Sequence, residues 1–160
     1  MRQHIIQVLL LLSGFQLFGQ ADSAFITADH YKTSTLDVAI FPESYIDILP
    51  GVRFTPSRQE IDSAEMILAQ QLKTINAQLP NQSSGPVIHK KLHKYKRQYF
   101  GYIDANGDRI LLINCFWAKH DHEDWLVRKI VMLDGGSYFW HIKCNLNKNE
   151  LFELSVNGNS

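Results

Sequence analysis

The chain has 160 residues, 45% of them hydrophobic, with 16 basic and 16 acidic side chains and a formal net charge of zero. Neutrality removes the basic excess a nucleic-acid binder uses to displace counterions, and the apolar content excludes a disordered chain. Length and composition fit one domain able to bury a core without staples.

Residues 1–21 open with Met1-Arg2-Gln3-His4, continue as an apolar run over 5–18 and close on Gly19-Gln20-Ala21. A basic start, an apolar centre and a small-residue exit make a secretory signal peptide, with cleavage after Gly19 or Ala21. The run is shorter than the roughly 20 residues of a membrane span, and Gln7, Ser13 and Gln16 interrupt it. No cysteine lies near the cut to carry a lipid, and no later run is long enough to span. The expectation is a soluble, secreted or periplasmic mature chain without a transmembrane segment.

Residues 22–54 read as an irregular N-terminal segment, with short strands expected at 37–41 and 45–49, broken by Pro42 and stopped by Pro50-Gly51. A helix follows. Thr55-Pro56 offers a cap with proline at the first helical position, and Ser57-Arg58-Gln59-Glu60 offers a capping box two residues later. Ile61, Ala64, Leu68, Leu72, Ile75 and Leu79 then fall on one stripe, which Pro80 ends.

From Tyr95 onward the pattern turns to strands, expected over 96–103, 109–117, 125–133, 137–145 and 151–156. Asn106-Gly107 favours a type I′ hairpin turn between the first two. Asp134-Gly135-Gly136 and Asn147-Lys148-Asn149 supply the later turns. Short connections favour an antiparallel meander. Together with residues 55–80 this gives an α+β domain over 55–160, with one long amphipathic helix packed on a curved antiparallel meander sheet of four to five strands.

In this register Ile110, Leu112, Phe116, Leu126, Ile130, Met132, Tyr138, Trp140, Ile142 and Cys144, continued by Phe152, Leu154 and Val156, face the helix. The outer face carries Phe100, Tyr102, Trp117, Trp125, Lys129, Phe139, His141 and Lys143. That mixture of aromatics and cations is either a contact surface or a face covered by a loop from residues 22–54. Cys115 and Cys144 fall on opposite faces, two strand spacings or about 9.5 Å apart. A disulfide needs Cα atoms within roughly 7 Å, so two free, buried thiols are expected.

Chemical constellations are sparse. His120-Asp121-His122-Glu123-Asp124 offers imidazole and carboxylate ligands, and His120 and His122 are the candidate metal ligands. The basic stretch over 89–97 reads as a charged lead-in to a strand. Asp104-Ala105-Asn106-Gly107-Asp108 has its glycine fourth, where a calcium loop has it sixth, and reads as a turn. Cys115 or Cys144 with His141, and Ser137 or Ser155, lack a specified base or activating group. The sequence therefore favours a non-enzymatic binding module over an enzyme, with no cofactor. Its binding surface is Tyr102, Trp117, Trp125, Lys129, Phe139 and His141. The partner is a protein, glycan or small molecule, not nucleic acid.

The element order over 55–156, a helix followed by antiparallel strands, resembles the cystatin-like or NTF2-like α+β architecture. The glutamine-and-glycine hairpin loop of cystatin inhibitors is absent, so protease inhibition is not implied. The likeness to NTF2-like folds implies an alternative, a small-molecule pocket between helix and sheet; the metal site is the other alternative. The stretches Arg53-Phe54-Thr55-Pro56-Ser57, Tyr95-Lys96-Arg97-Gln98-Tyr99-Phe100-Gly101-Tyr102 and Asp134-Gly135-Gly136-Ser137 are similar to small secreted bacterial proteins of Bacteroidota-like lineages. That resemblance implies no activity.

Overall fold

A computed structural model describes residues 26–47, 49–120 and 122–158; the signal segment read over 1–21 lies outside them. Ser57 begins the α-helix α1 (Arg58–Ile75) as its N-cap. Its backbone N–H donates to the Glu60 carboxylate at 2.9 Å, and its hydroxyl accepts from the Glu60 N–H at 3.3 Å. The reciprocal capping box thus satisfies two donors that a helix start leaves open. Ile61, Ala64, Ile67, Leu68 and Leu72 are buried along the stripe. Leu79 lies beyond the helix end, in the left-handed region and exposed.

The strands are β1 (Asp29–Lys32), β2 (Asp37–Ile40), β3 (Val52–Phe54), β4 (Tyr95–Ile103), β5 (Arg109–Trp117), β6 (Phe139–Asn145) and β7 (Glu150–Val156). They form one open sheet in the order β1-β2-β4-β5-β6-β7, with β3 pairing to the second half of β4. Every pairing is antiparallel except β2 with β4. A parallel pair needs a long crossover, and the chain through α1 provides it. The α+β class and the single long helix are as read. The sheet has six to seven strands where four to five were expected: the one expected over 125–133 is absent, and β1, β2 and β3 of the N-terminal segment join the sheet, β1 and β3 having escaped the sequence patterning.

Residues 125–133 form no strand, and β5 pairs directly with β6. Two amide side chains explain this. Gln98 on β4 and Asn114 on β5 sit opposite each other in register and point outward. Gln98 Nε2 donates to the carbonyls of Trp125 and Arg128, both at 2.7 Å, and its Oε1 accepts from the Ile130 N–H at 2.8 Å. Asn114 Nδ2 donates to the Ile130 carbonyl at 2.8 Å and to Gln98 Oε1 at 2.9 Å. The segment therefore finds partners for buried backbone groups in side chains rather than in a ladder. It lies across the sheet as a strap.

The hairpin between β4 and β5 exists, but its turn is not type I′. Type I′ needs positive φ at both central residues; here Gly107 has φ +84° and Asn106 is not in that region. The loop over 104–108 is closed by the Asp104 carboxylate, which accepts from the N–H groups of Asn106 and Asp108, both at 2.9 Å. A type I′ turn at 106–107 would put Gln98 opposite Cys115; the observed loop puts it opposite Asn114. A one-residue slip moves every side chain of a strand to the other face. Leu111, Ile113 and Cys115 accordingly face the helix, and Leu112 and Phe116 face outward, the reverse of the expected assignment. For β6 the expectation holds: Trp140, Ile142 and Cys144 join the helix-side core.

Two cores result. One lies between α1 and the sheet. The other lies on the outer face, where Phe41, Phe100, Leu112, Phe116, Trp125, Ile130 and Phe139 are buried beneath the strap and the segment after β2. Cys115 and Cys144 are free and buried, on the same face and on neighbouring strands. Cys115 pairs with Trp140 and Cys144 with Leu111, four positions apart along β5. At the strand rise this is about 13 Å, so register, not an intervening strand, keeps the thiols apart.

Candidate functional site

The strap leaves part of the outer face uncovered, and a cleft of about 370 Å³ opens there. β6 contributes Phe139, His141 and Lys143, β5 contributes Leu112 and Asn114, and the strap contributes Lys129, Ile130, Val131 and Met132. Leu49, Pro50, Glu153 and Asn157 complete the lining. The volume is at the low end of the roughly 300–1,000 Å³ range of small-molecule sites.

The cleft joins an apolar rim to a cationic floor. Val131 and Leu133 are 68% and 93% exposed, with Met132 between them. Successive exposed aliphatics mark a contact region rather than chance surface. Lys129 Nζ donates to Asp47 at 2.8 Å, and the Lys129 backbone N–H donates to the Tyr45 hydroxyl oxygen at 2.9 Å. Lys143 is paired with Glu153. His141 stands between the two lysines, with no hydrogen bond to its ring among the described residues. Burial first, then the charges of Lys129 and Lys143, hold its pKa below the usual imidazole value, against the weaker pull of Glu153.

Of the expected binding residues, Lys129, Phe139 and His141 meet in this cleft. The others do not. Tyr102 is buried on the outer face near Lys143. Trp125 opens the strap and is 6% exposed, edge-on to Phe116 and His30, with the Lys96 ammonium 4.7 Å from its ring. Trp117 lies on the helix side, edge-on to Tyr95 and Tyr138. The expected open aromatic surface is thus corrected: covering chain has turned most of it into core. Part of the cover is Phe41, Tyr45 and Leu49 from the 22–54 segment, and the larger part is the strap.

His120 and His122 pack against aromatic rings. His120 lies 5.4 Å from both Tyr138 and Phe139, and His122 lies 5.3 Å from Phe116 and 5.9 Å from Phe139. Among the described residues, no three histidine, cysteine, aspartate or glutamate side chains are grouped to hold a metal; Asp121 is outside them. Burial pushes the Cys144 thiol up to about 12 and the Cys115 thiol well above its usual value, which withholds thiolate chemistry from both.

A second cleft, of about 440 Å³, lies on the helix side beside Asp62, Glu65, His89, His93 and Arg97. Its deepest groups satisfy one another. Arg97 is buried and pairs with Glu65 at 2.9 Å, donates to the Tyr95 carbonyl at 2.8 Å, and shares Glu65 with the Tyr99 hydroxyl. This is an internal ion pair bracing α1 against β4, with its charges already committed.

Gln98 and Asn114 are the residues that sequence reasoning missed. Asn114 is a lone amide in an apolar strand, Gln98 follows Lys96 and Arg97 in its own, and the hairpin brings the two opposite each other. Comparison with protein-family models, curated proteins and solved structures gave no match to this chain.

Proposed function

We propose that this chain is an exported, non-enzymatic binding module that takes a small amphipathic molecule into the outer-face cleft. The observation that carries the reading is the meeting of exposed Val131 and Met132 with Lys129, His141 and Lys143 around one concavity. Small-molecule sites combine an apolar lining with a few convergent polar groups, and this cleft has that make-up. Export rests on the basic, apolar and small-residue pattern of residues 1–21. The kinship with small secreted bacterial proteins and the cystatin-like or NTF2-like likeness belong to the same proposal.

The test uses N-phenyl-1-naphthylamine, an uncharged dye that brightens in apolar surroundings. The wild-type protein is expected to brighten it, and Val131→Asp or Met132→Asp to weaken binding at least fivefold with an unchanged circular dichroism spectrum. Dye bound equally by wild type and both variants would place binding elsewhere. For export, expression of the full chain should yield a shortened product outside the cytoplasm, starting at Gln20 or Asp22; an uncut cytoplasmic product would refute it.

A further inference from the structure

We infer that the cleft selects an amphipathic carboxylate, with the carboxylate seated among His141, Lys129 and Lys143 and the apolar tail along Ile130, Val131 and Met132. The inference rests on the reading of the cleft as a binding site and adds the sign of the headgroup.

It follows from counting donors and acceptors. An ammonium group offers three N–H donors and no acceptor. Lys129 commits a donor to Asp47, Lys143 commits one to Glu153 and one to the Tyr102 hydroxyl, and each keeps at least one more. His141 adds a ring donor. Asn157 Nδ2 is already spent on the carbonyls of Met132 and Asp134, and Asn114 Nδ2 on Gln98 and the Ile130 carbonyl. Among the described residues, the one carboxylate lining the cleft is Glu153, whose side chain is 62% exposed and paired with Lys143. The lining therefore brings two ammonium groups together with one carboxylate, an excess of cationic donors, and charge-assisted hydrogen bonds are the strong ones.

His141 makes recognition sensitive to pH. The groups facing it are Lys129 from the strap, Lys143 on its own strand and Glu153 from β7; Asn114 and Ser155, its strand neighbours, are uncharged. Burial first, and then the two lysines, disfavour its protonation in the free protein. A carboxylate placed between them removes that disadvantage, so His141 takes up a proton as the ligand binds. Affinity then rises as pH falls through the value of the bound imidazole and levels off below the lowered value of the free protein.

Calorimetric titration of the mature protein with octanoate, 1-octanol and octylammonium at pH 7 tests this. Octanoate is expected to bind at least tenfold more tightly than octanol, and octylammonium more weakly than either. Lys143→Met should weaken octanoate severalfold and leave octanol unchanged. His141→Gln should abolish the pH dependence of octanoate binding. Equal affinity for octanoate and octanol would overturn the carboxylate assignment and leave the cleft reading standing. Tighter binding of octylammonium would reverse the sign of the site. Binding of none of the three would overturn both readings.

Discussion

Replacing Gln98 with leucine removes the amide that ties the strap to the sheet. Gln98 is fully buried, and its side chain serves three backbone groups of the strap and the Asn114 amide. Four hydrogen bonds at a net 0.5–1.5 kcal/mol each total roughly 2–6 kcal/mol. The strap can recover part of that by opening to water, and leucine restores apolar contact, so the expected loss is about 3 kcal/mol. For a domain of this size that lowers Tm by roughly 10 °C. Urea denaturation measures the loss, and hydrogen exchange at the Ile130 amide locates it, because that N–H donates to Gln98. Local release should speed exchange at Ile130 more than at helix-side amides such as Ile142. A loss below about 0.5 kcal/mol, with Ile130 protection unchanged, would refute the view that these amides hold the strap.

Further expectations follow from the buried charge, the helix cap and the thiols. Arg97→Met leaves the Glu65 charge buried without its partner and should cost about 3–5 kcal/mol, while the double variant Arg97→Met/Glu65→Leu should regain most of it; a single-variant loss under about 1 kcal/mol would contradict the bracing role. Burial raises the Glu60 pKa, but the bonds from Ser57 and Arg109 outweigh it and hold it below its usual value. Its folded pKa being lowered, the stability it adds is complete above its ordinary 4.5 and disappears as pH falls through the folded value. The difference between wild type and Glu60→Ala, about 1–2 kcal/mol near neutrality, should therefore vanish in acid, and a difference constant down to strongly acidic pH would sink the assignment. Finally, a thiol reagent should find no reactive cysteine in the native protein and two after unreduced denaturation, since Cys115 and Cys144 are free and buried; zero thiols after denaturation would disprove the register.

The helix was legible because one motif and one period agreed: Ser57 and Glu60 fixed its start, and the stripe from Ile61 to Leu72 fixed its buried face. The β4–β5 hairpin was legible from Asn106-Gly107, but its register was not. Turn type hung on whether Asn106 or the Asp104 side chain set the loop, and the resulting slip of one residue reversed β5 and placed Trp117 on the wrong face. The strap was misread as a strand because Trp125, Val127, Ile130 and Val131 give it the aromatic and β-branched composition of one. Its partners are side-chain amides far away in sequence, which local periodicity does not register. Three of the six expected binding residues still converge, because Lys129, Phe139 and His141 owe their place to β6 and the strap rather than to β5. β1 and β3, with four and three residues, are too short to show a period.

The most direct test of the cleft is a nitrogen-15 heteronuclear titration of the mature protein with octanoate. The account predicts that the amides of Lys129, Ile130, Met132 and His141 shift together and saturate with one constant, while those of Glu65, His89 and His93 in the helix-side cleft stay still. Saturable shifts confined to the helix-side residues, or no saturable shift at all, would contradict it.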